Sequence, residues 1–219
     1  MLQNLITPTY GVKVLPGAPL LTEIFLYTTK KIQNINDLKK LRVRAAGIRG
    51  EVFQEAGTAV VNLSPGEVVP AMEKGVIDGC EIVNLSNDLS LGMSDVAKYA
   101  YYGSSPVAGH LFFFLNQKTW DKLPKDLQDI VEKACIIAAE FDIGYGLIIE
   151  FNEIAKADKA GKVQIMHLPQ EVQDHVDSSA ARLYTKKRKT DRDMDMVFKA
   201  MEAWQTKNKV SLKFLHNLI

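Results

Sequence analysis

Two charged residues stand where strands of this sequence are predicted to end, and their types suit the binding of a charged ligand. Arg44 closes the strand-like run 41–44, and Glu81 lies near the end of a second run, 76–83. A guanidinium can bind a carboxylate through two parallel hydrogen bonds, and a glutamate can act as an acid, a base or a cation ligand. On the residues alone, a surface ion pair is the simpler explanation of an arginine at a strand end.

A repeated strand–turn–helix pattern would position both residues. After the first strand, a Gly-punctuated turn leads into a predicted helix over 51–56, which Gly57 ends in a left-handed cap. A second strand over 60–63 is followed by the capping box of Ser64 and Glu67, which opens a helix ending at Gly75. Strands that alternate with helices pair in parallel, and ligands bind beyond their carboxyl ends. We therefore predict an α/β fold that carries Arg44 and Glu81 on one edge of its sheet.

The composition excludes several classes of protein. With 219 residues, 47% of them apolar, the chain has ample material for a hydrophobic core. A net charge of +1 argues against nucleic acid as a partner, because phosphate-binding surfaces carry a basic excess. No apolar run approaches the roughly 18 residues of a membrane span. The sequence also lacks a phosphate loop, a nucleophile elbow, paired CxxC motifs and HExxH, so it offers little support for an enzyme.

Beyond residue 84 the pattern predicts one further buried strand and then mainly helices. The aromatic and Gly/Ser/Pro-rich stretch 99–109 is typical of a connection, and the apolar run 110–116 predicts a strand buried on both faces. A long helix is predicted to begin near Leu127 and to bend or break near Gly144. The last predicted elements are a strand over 162–168, a helix opened by Pro169, and an amphipathic helix over 193–207.

Several stretches of the sequence resemble a known family. Residues 37–44, 50–52 and 71–81 are similar to motifs of the DctP-type solute-binding subunit of tripartite ATP-independent periplasmic (TRAP) transporters. The match is best with the branch that binds 2-oxo acids and related carboxylates. Two further runs, 113–116 and 120–124, resemble the strand of the family that ends in asparagine and the loop that follows it. The resemblance extends over nearly the whole chain.

The resemblance implies a fold of the periplasmic-binding-protein type II-like kind, in which two α/β lobes joined by hinge strands close over a ligand. Residues 14–109 and 147–219 would form the second lobe with its C-terminal helices, whereas 1–13 and 110–146 would form a hinge strand and a remnant of the first lobe. We therefore expect the first lobe to be incomplete and an N-terminal part to be missing. The first nine residues have no signal-peptide pattern, although the family is periplasmic.

The resemblance also implies roles for four residues. Arg44 falls on the arginine that pairs with the substrate carboxylate, and Glu81 on the glutamate before the ligand-facing position. That position is a tryptophan in the 2-oxo acid branch and is Ile82 here, which replaces an indole by an aliphatic wall. Glu23 falls near a glutamine that helps to hold a cation. The expected substrate-binding set is thus Arg44, Glu81, Ile82 and Glu23, and the expected metal set is Glu23, Glu81 and Ile82, with Na⁺ or Ca²⁺ bridging the ligand and no organic cofactor.

The function implied by the resemblance is that of a receptor and not of an enzyme. It would capture a small carboxylate and deliver it to the membrane subunits of a TRAP permease driven by an ion gradient. A homodimer formed through the C-terminal helices is a further expectation. Two alternatives remain open at this point: a carboxylate-handling lyase or isomerase that uses Glu81 as its base, and a fragment that has lost its function.

Overall fold

Two separate sheets organise the chain. The structure, a computed structural model, describes residues 2–21, 23–103 and 107–209. The strands within these residues are β1 (Val12–Leu21), β2 (Leu26–Thr28), β3 (Arg42–Arg44), β4 (Ala59–Val61), β5 (Gly79–Cys80), β6 (Tyr99–Tyr102), β7 (Val107–Asn116) and β8 (Gln164–His167). β1 and β7 form an antiparallel ribbon, and the other six strands form a mixed sheet.

The helices alternate with the strands of the larger sheet and then dominate the C-terminal half. They are α1 (Leu2–Tyr10), α2 (Ile35–Lys39), α3 (Gly47–Glu55), α4 (Pro65–Glu73), α5 (Leu85–Ser90), α6 (Met93–Val96), α7 (Gln117–Trp120), α8 (Lys125–Ala160), α9 (Gln170–Arg188) and α10 (Arg192–Lys207). Among these described helices, none combines the length and the apolarity that crossing a membrane requires.

The larger sheet has the strand order β4-β3-β5-β2-β6-β8. β3 pairs in parallel with β4 and β5, and β6 pairs in parallel with β8, whereas β2 is antiparallel to both of its neighbours. The carboxyl ends of five strands therefore lie at the same edge of the sheet as the start of β2. These strands are β3, β4, β5, β6 and β8. The predicted α/β class is confirmed, and so is the predicted parallel pairing around Arg44.

Helices cover both faces of this sheet. Alternate residues of one strand point to opposite faces, so Leu26 packs with α2, α3 and α9, whereas its neighbour Tyr27 packs with α4, α5, α6 and the end of α8. Tyr101 and Ala100 of β6 divide in the same way between the two clusters. The result is three layers with the sheet in the middle.

The aromatic stretch predicted as a connection is partly a strand, and this prediction was wrong. β6 lies inside the sheet between β2 and β8. Tyr101 tolerates burial because its hydroxyl accepts a hydrogen bond from the backbone N–H of Ile32 at 2.8 Å. Residues 104–106 of the predicted connection lie outside the described residues.

The apolar strand around residues 110–116 is not buried on both faces, contrary to the prediction. Within the described residues, β7 pairs with β1 alone. Phe113 is 48% exposed and Phe114 is 57% exposed, and neighbouring residues of a strand point to opposite sides. Both faces of the ribbon are thus partly open in the described structure.

Element boundaries also differ from the prediction in three places. α8 continues for 36 residues through Gly144, so the helix does not break there. α3 begins at Gly47, four residues earlier than predicted. The regular part of the third predicted strand is limited to Gly79 and Cys80, although backbone N–H groups of Asp78 and Glu81 also donate to the carbonyl oxygens of Arg42 and Arg44.

Candidate functional site

Three of the residues predicted from the sequence meet at the edge where the strand ends converge. Arg44 is the last residue of β3, and Glu81 follows β5 directly. Glu23 reaches the same edge because β2 runs in the opposite direction, and its backbone pairs with that of Asn84 in an isolated bridge. All three are buried, with 6% of Arg44, 8% of Glu81 and 9% of Glu23 exposed. Charged residues are rarely buried to this degree unless they are paired.

The guanidinium of Arg44 is held by backbone carbonyls. Its Nε donates to the carbonyl oxygen of Leu63 at 2.9 Å, and its Nη1 donates to that of Glu81 at 2.6 Å. The nearest approach to the Glu81 carboxylate is 4.0 Å. No hydrogen bond among the described residues uses Nη2, so one side of the guanidinium remains for an anion. A surface ion pair, the simpler explanation from sequence, does not describe this arginine.

A network around Asp78 fixes the strand that delivers Glu81. The carboxylate of Asp78 accepts hydrogen bonds from Nε of Arg42 at 3.0 Å and from Nζ of Lys30 at 2.9 Å. Burial opposes ionisation of this carboxyl, but these hydrogen bonds outweigh it and hold its pKa well below the usual range. The next residue, Gly79, has no room for a side chain, because a Cβ there would lie 2.5 Å from the Tyr27 carbonyl oxygen.

Sequence reasoning missed a second arginine at this edge. Arg49 is the third residue of α3, and its Nη2 lies 3.2 Å from Oε2 of Glu23 while its Nη1 lies 3.5 Å from Oε1 of Glu81. One guanidinium thus bridges the two carboxylates. The sequence pattern could have indicated Arg49, because it lies in the Gly47–Gly50 turn directly after the strand that ends at Arg44.

The electrostatics of Glu81 reflect its crowded surroundings. Burial raises the pKa of its carboxyl, the positive charges of Arg49 and Arg44 lower it, and the charge of Glu23 together with a hydrogen bond to that residue raises it again. The net shift is upward. A further positive charge placed between the oxygens of Glu23 and Glu81 would therefore stabilise the two ionised carboxylates.

The donor set fits a hard cation. Na⁺ and Ca²⁺ prefer oxygen ligands, and Glu23 and Glu81 offer two carboxylates at one buried point. The described residues contain no group of three or more His, Cys, Asp or Glu side chains that could hold a metal. A cation held by this pair would therefore complete its shell with backbone carbonyls, water or oxygens of a ligand.

The segment that follows Glu81 is held by another residue that sequence reasoning missed. Glu150 of α8 is buried, and its carboxylate accepts the backbone N–H groups of Leu85 at 3.0 Å and Ser86 at 3.1 Å. Ile82, between the two fixed points, is half-buried and packs against the core beside β5. The chain from Glu81 to Ser86 is thus tied at one end by Arg44 and at the other by Glu150.

A cavity of about 280 Å³ opens beside Arg49, between α3 and α9. Glu23 and Arg49 lie on its wall, and α9 contributes Asp177. The remaining lining is largely apolar and includes Phe25, Ile48, Val52, Val176, Ala180 and Tyr184. The site edge therefore has unfilled space on the side of Arg49.

Comparison with known proteins gives one family and several relatives. The model of the DctP family, described as bacterial extracellular solute-binding protein, family 7, matches residues 21–190. A monocarboxylate 2-oxoacid-binding periplasmic protein of Nostoc sp. is 34% identical over 110 residues, which are 50% of this chain and 30% of that protein.

Solved structures show the same fold over almost the entire chain. A TRAP periplasmic solute-binding protein of Pseudoalteromonas atlantica, with bound sodium and pyruvate, is 28% identical with a TM-score of 0.89. One of Colwellia psychrerythraea, with bound calcium and pyruvate, is 28% identical with a TM-score of 0.86. Each comparison covers 99% of this chain, but only 66% of the first relative and 68% of the second.

Proposed function

Because this chain belongs to the bacterial extracellular solute-binding protein family 7, the DctP family, we propose that it binds a small organic carboxylate of the 2-oxo acid kind for delivery to a TRAP permease. The observation that carries the proposal is the buried guanidinium of Arg44, to which no carboxylate of the described residues comes closer than 4.0 Å. A buried charge without a close counter-ion is costly, and an anionic ligand would supply the missing partner.

Arg44 would receive the ligand carboxylate through its two terminal nitrogens. Nη1 keeps one hydrogen beside the bond to the Glu81 carbonyl, and Nη2 is used by none of the described bonds. Together they offer the planar pair of donors that matches a carboxylate. Pyruvate in the two solved relatives is a ligand of this class.

Glu23 and Glu81, with the backbone at Ile82, would hold a cation beside the ligand. Sodium and calcium accompany pyruvate in the two solved relatives. When bound, such a cation would neutralise the two carboxylates and coordinate ligand oxygens. The proposed substrate-binding set therefore remains Arg44, Glu81, Ile82 and Glu23.

The remaining predictions extend this proposal to the assembly. In the proposed assembly, one lobe comprises residues 14–109 and 147–219. The hinge and the other lobe of this periplasmic receptor include residues 1–13 and 110–146. α10 supports a homodimer: none of its residues is buried, and Met201 and Trp204 are both more than half exposed. The family consists of solute-binding proteins and not of enzymes, so the lyase or isomerase alternative with Glu81 as base is not favoured.

Thermal shift with a panel of carboxylates tests the proposal. We expect pyruvate or a larger 2-oxo acid to raise the melting temperature in the presence of NaCl or CaCl₂, and NMR of the same sample to show the ligand unchanged after incubation. The control ligand is the matching alcohol or amide without a carboxylate, which should give no shift. Chemical conversion of the ligand, or no shift with any carboxylate under either cation, would contradict the proposed function.

A further inference from the structure

We propose that Arg49 sets the affinity of the cation site, because its guanidinium serves as the counter-ion of Glu23 and Glu81 until a metal cation displaces it. The inference rests on the proposed function, which places a cation between these two carboxylates. It adds a residue to that site and gives it a role that opposes cation binding.

Arg49 occupies the space that a bridging cation would need. Its two terminal nitrogens face different carboxylates: Nη2 lies 3.2 Å from Glu23, and Nη1 lies 3.5 Å from Glu81. A Ca²⁺ ion bound by both carboxylates would lie about 2.3–2.6 Å from their oxygens. Two positive charges at that point would repel each other across a buried site, so the guanidinium and the metal are alternatives.

The contacts of Arg49 are loose enough to be exchanged. Charge-assisted N–H···O bonds are usually about 2.7–2.9 Å long, and both distances to the carboxylates are longer. Arg44 differs, because carbonyl oxygens hold it at 2.6 Å and 2.9 Å. The side chain of Arg49 is also 26% exposed, against 7% for Arg44. Of these two arginines, Arg49 is the one that can leave while the other stays to bind the ligand.

The cavity beside Arg49 provides a place for the displaced guanidinium. It measures about 280 Å³ and is lined by Arg49 itself, by apolar side chains and by Asp177 of α9. The apolar lining suits the methylene stem of arginine, and α9 adds the carboxylate of Asp177, which already accepts a hydrogen bond from Nε2 of Gln173 at 2.9 Å. Cation binding would then turn Arg49 away from Glu81 and towards α9.

Loss of Arg49 should change stability and cation binding in opposite directions. Without Arg49, two buried carboxylates would face each other with less compensation, so the protein without a cation should melt at a lower temperature. The same change would remove the competitor of the metal, so the cation should bind more tightly. A purely structural role of Arg49 predicts lower stability without tighter binding.

Calorimetric titration with CaCl₂, after treatment with a chelator, tests the inference on the 219-residue chain. We expect Arg49→Gln to bind Ca²⁺ about 5-fold or more tightly than the wild type and to melt at a lower temperature before Ca²⁺ is added. Arg49→Lys should lie between the two, because one ammonium cannot bridge both carboxylates as a guanidinium does. Arg182→Gln is the control, since this exposed arginine of α9 pairs with Glu55 and is not among the residues that line the cavity.

A double variant, Glu23→Gln with Glu81→Gln, separates failure of this inference from failure of the proposed cation site. If the double variant loses Ca²⁺ binding while Arg49→Gln and Arg49→Lys bind Ca²⁺ as the wild type does or more weakly, the role of Arg49 is overturned and the site stands. If the double variant binds Ca²⁺ as the wild type does, or if no variant binds it, both the cation site and the inference are overturned. Should Arg49→Gln fail to fold, Arg49→Lys alone decides.

Discussion

Arg44 binds the backbone of Glu81 more closely than it binds the side chain of that residue. Its Nη1 lies 2.6 Å from the Glu81 carbonyl oxygen but 4.0 Å from the nearest carboxylate oxygen. The orientation of the guanidinium is thus set by the main chain, while the Glu81 carboxylate stays with Arg49 and Glu23. A ligand carboxylate that approaches Arg44 would not first have to break a tight salt bridge.

The first prediction concerns this arginine. Arg44→Ala should weaken binding of the best 2-oxo acid by about 2–5 kcal/mol, because a buried charge pair with the ligand is lost. Arg44→Lys should also weaken binding, since an ammonium offers no planar pair of donors. Calorimetry with the ligand identified by thermal shift measures both, with Arg182→Lys as the control. An affinity of Arg44→Ala within twofold of the wild type would show that the carboxylate is held elsewhere.

The second prediction concerns Glu150. Its carboxylate binds two backbone N–H groups at the start of α5 and is almost completely buried. Glu150→Ala would leave both donors unsatisfied, so we expect the free energy of unfolding to fall by about 2–4 kcal/mol in urea denaturation. Glu153→Ala is the matched control, because Glu153 lies one turn further along α8 and its hydrogen bond with Lys156 is exposed. Equal losses from the two variants would contradict this role.

The third prediction is a dependence of stability on pH that arises from Asp88. This residue of α5 is fully buried, and the described structure gives its Oδ1 no hydrogen-bond partner. Burial raises its pKa from 3.8 to about 7; the hydroxyl of Tyr27 and the N–H of Val83 oppose this rise, and the charges of Glu81 and Glu150 add to it. Because the folded pKa lies above the unfolded one, the folded state favours the protonated form. That stabilisation is complete below the unfolded pKa and is lost as the pH rises through the folded value.

Asp88→Asn should remove this dependence. A pKa difference of about three units corresponds to an upper bound of about 4 kcal/mol, so we expect the wild type to lose about 2–4 kcal/mol of stability more than the variant between pH 4 and pH 8. Urea denaturation across this pH range measures the difference. Asp95→Asn, which changes an exposed carboxylate paired with Lys162, should follow the wild type. Parallel curves for the wild type and Asp88→Asn would refute the assignment.

Local sequence signals predicted the part of the site that depends on strand ends. Arg44 and Glu81 could be placed together because alternating strands and helices impose parallel pairing, and the structure confirms that pairing. The contribution of Glu150 could not be predicted in this way, since it reaches Leu85 from 65 residues further along the chain. No local pattern encodes such a contact.

Two features of the fold differ from the prediction because tertiary packing overrides local sequence preference. β6 was missed because its tyrosines resemble a polar connection, whereas inside the sheet Tyr101 is a core residue and Tyr99 and Tyr102 pack, partly buried, against the core. The predicted break of α8 at Gly144 did not occur, although glycine lowers helix propensity by about 1 kcal/mol. Packing of α8 against β1 and α5 outweighs that local preference.

The last prediction concerns the ribbon of β1 and β7. Phe113 and Phe114 are adjacent in β7 and therefore point to opposite sides, yet both are about half exposed, and Phe141 of α8 is 66% exposed. Apolar surface of this extent favours self-association, so the 219-residue chain should form oligomers at about 100 µM in sedimentation velocity. Phe114→Ser combined with Phe141→Ser should shift the distribution towards the monomer. Val76→Ser, which changes a half-exposed valine outside the ribbon, should leave it unchanged, and a monodisperse wild-type monomer would contradict the prediction.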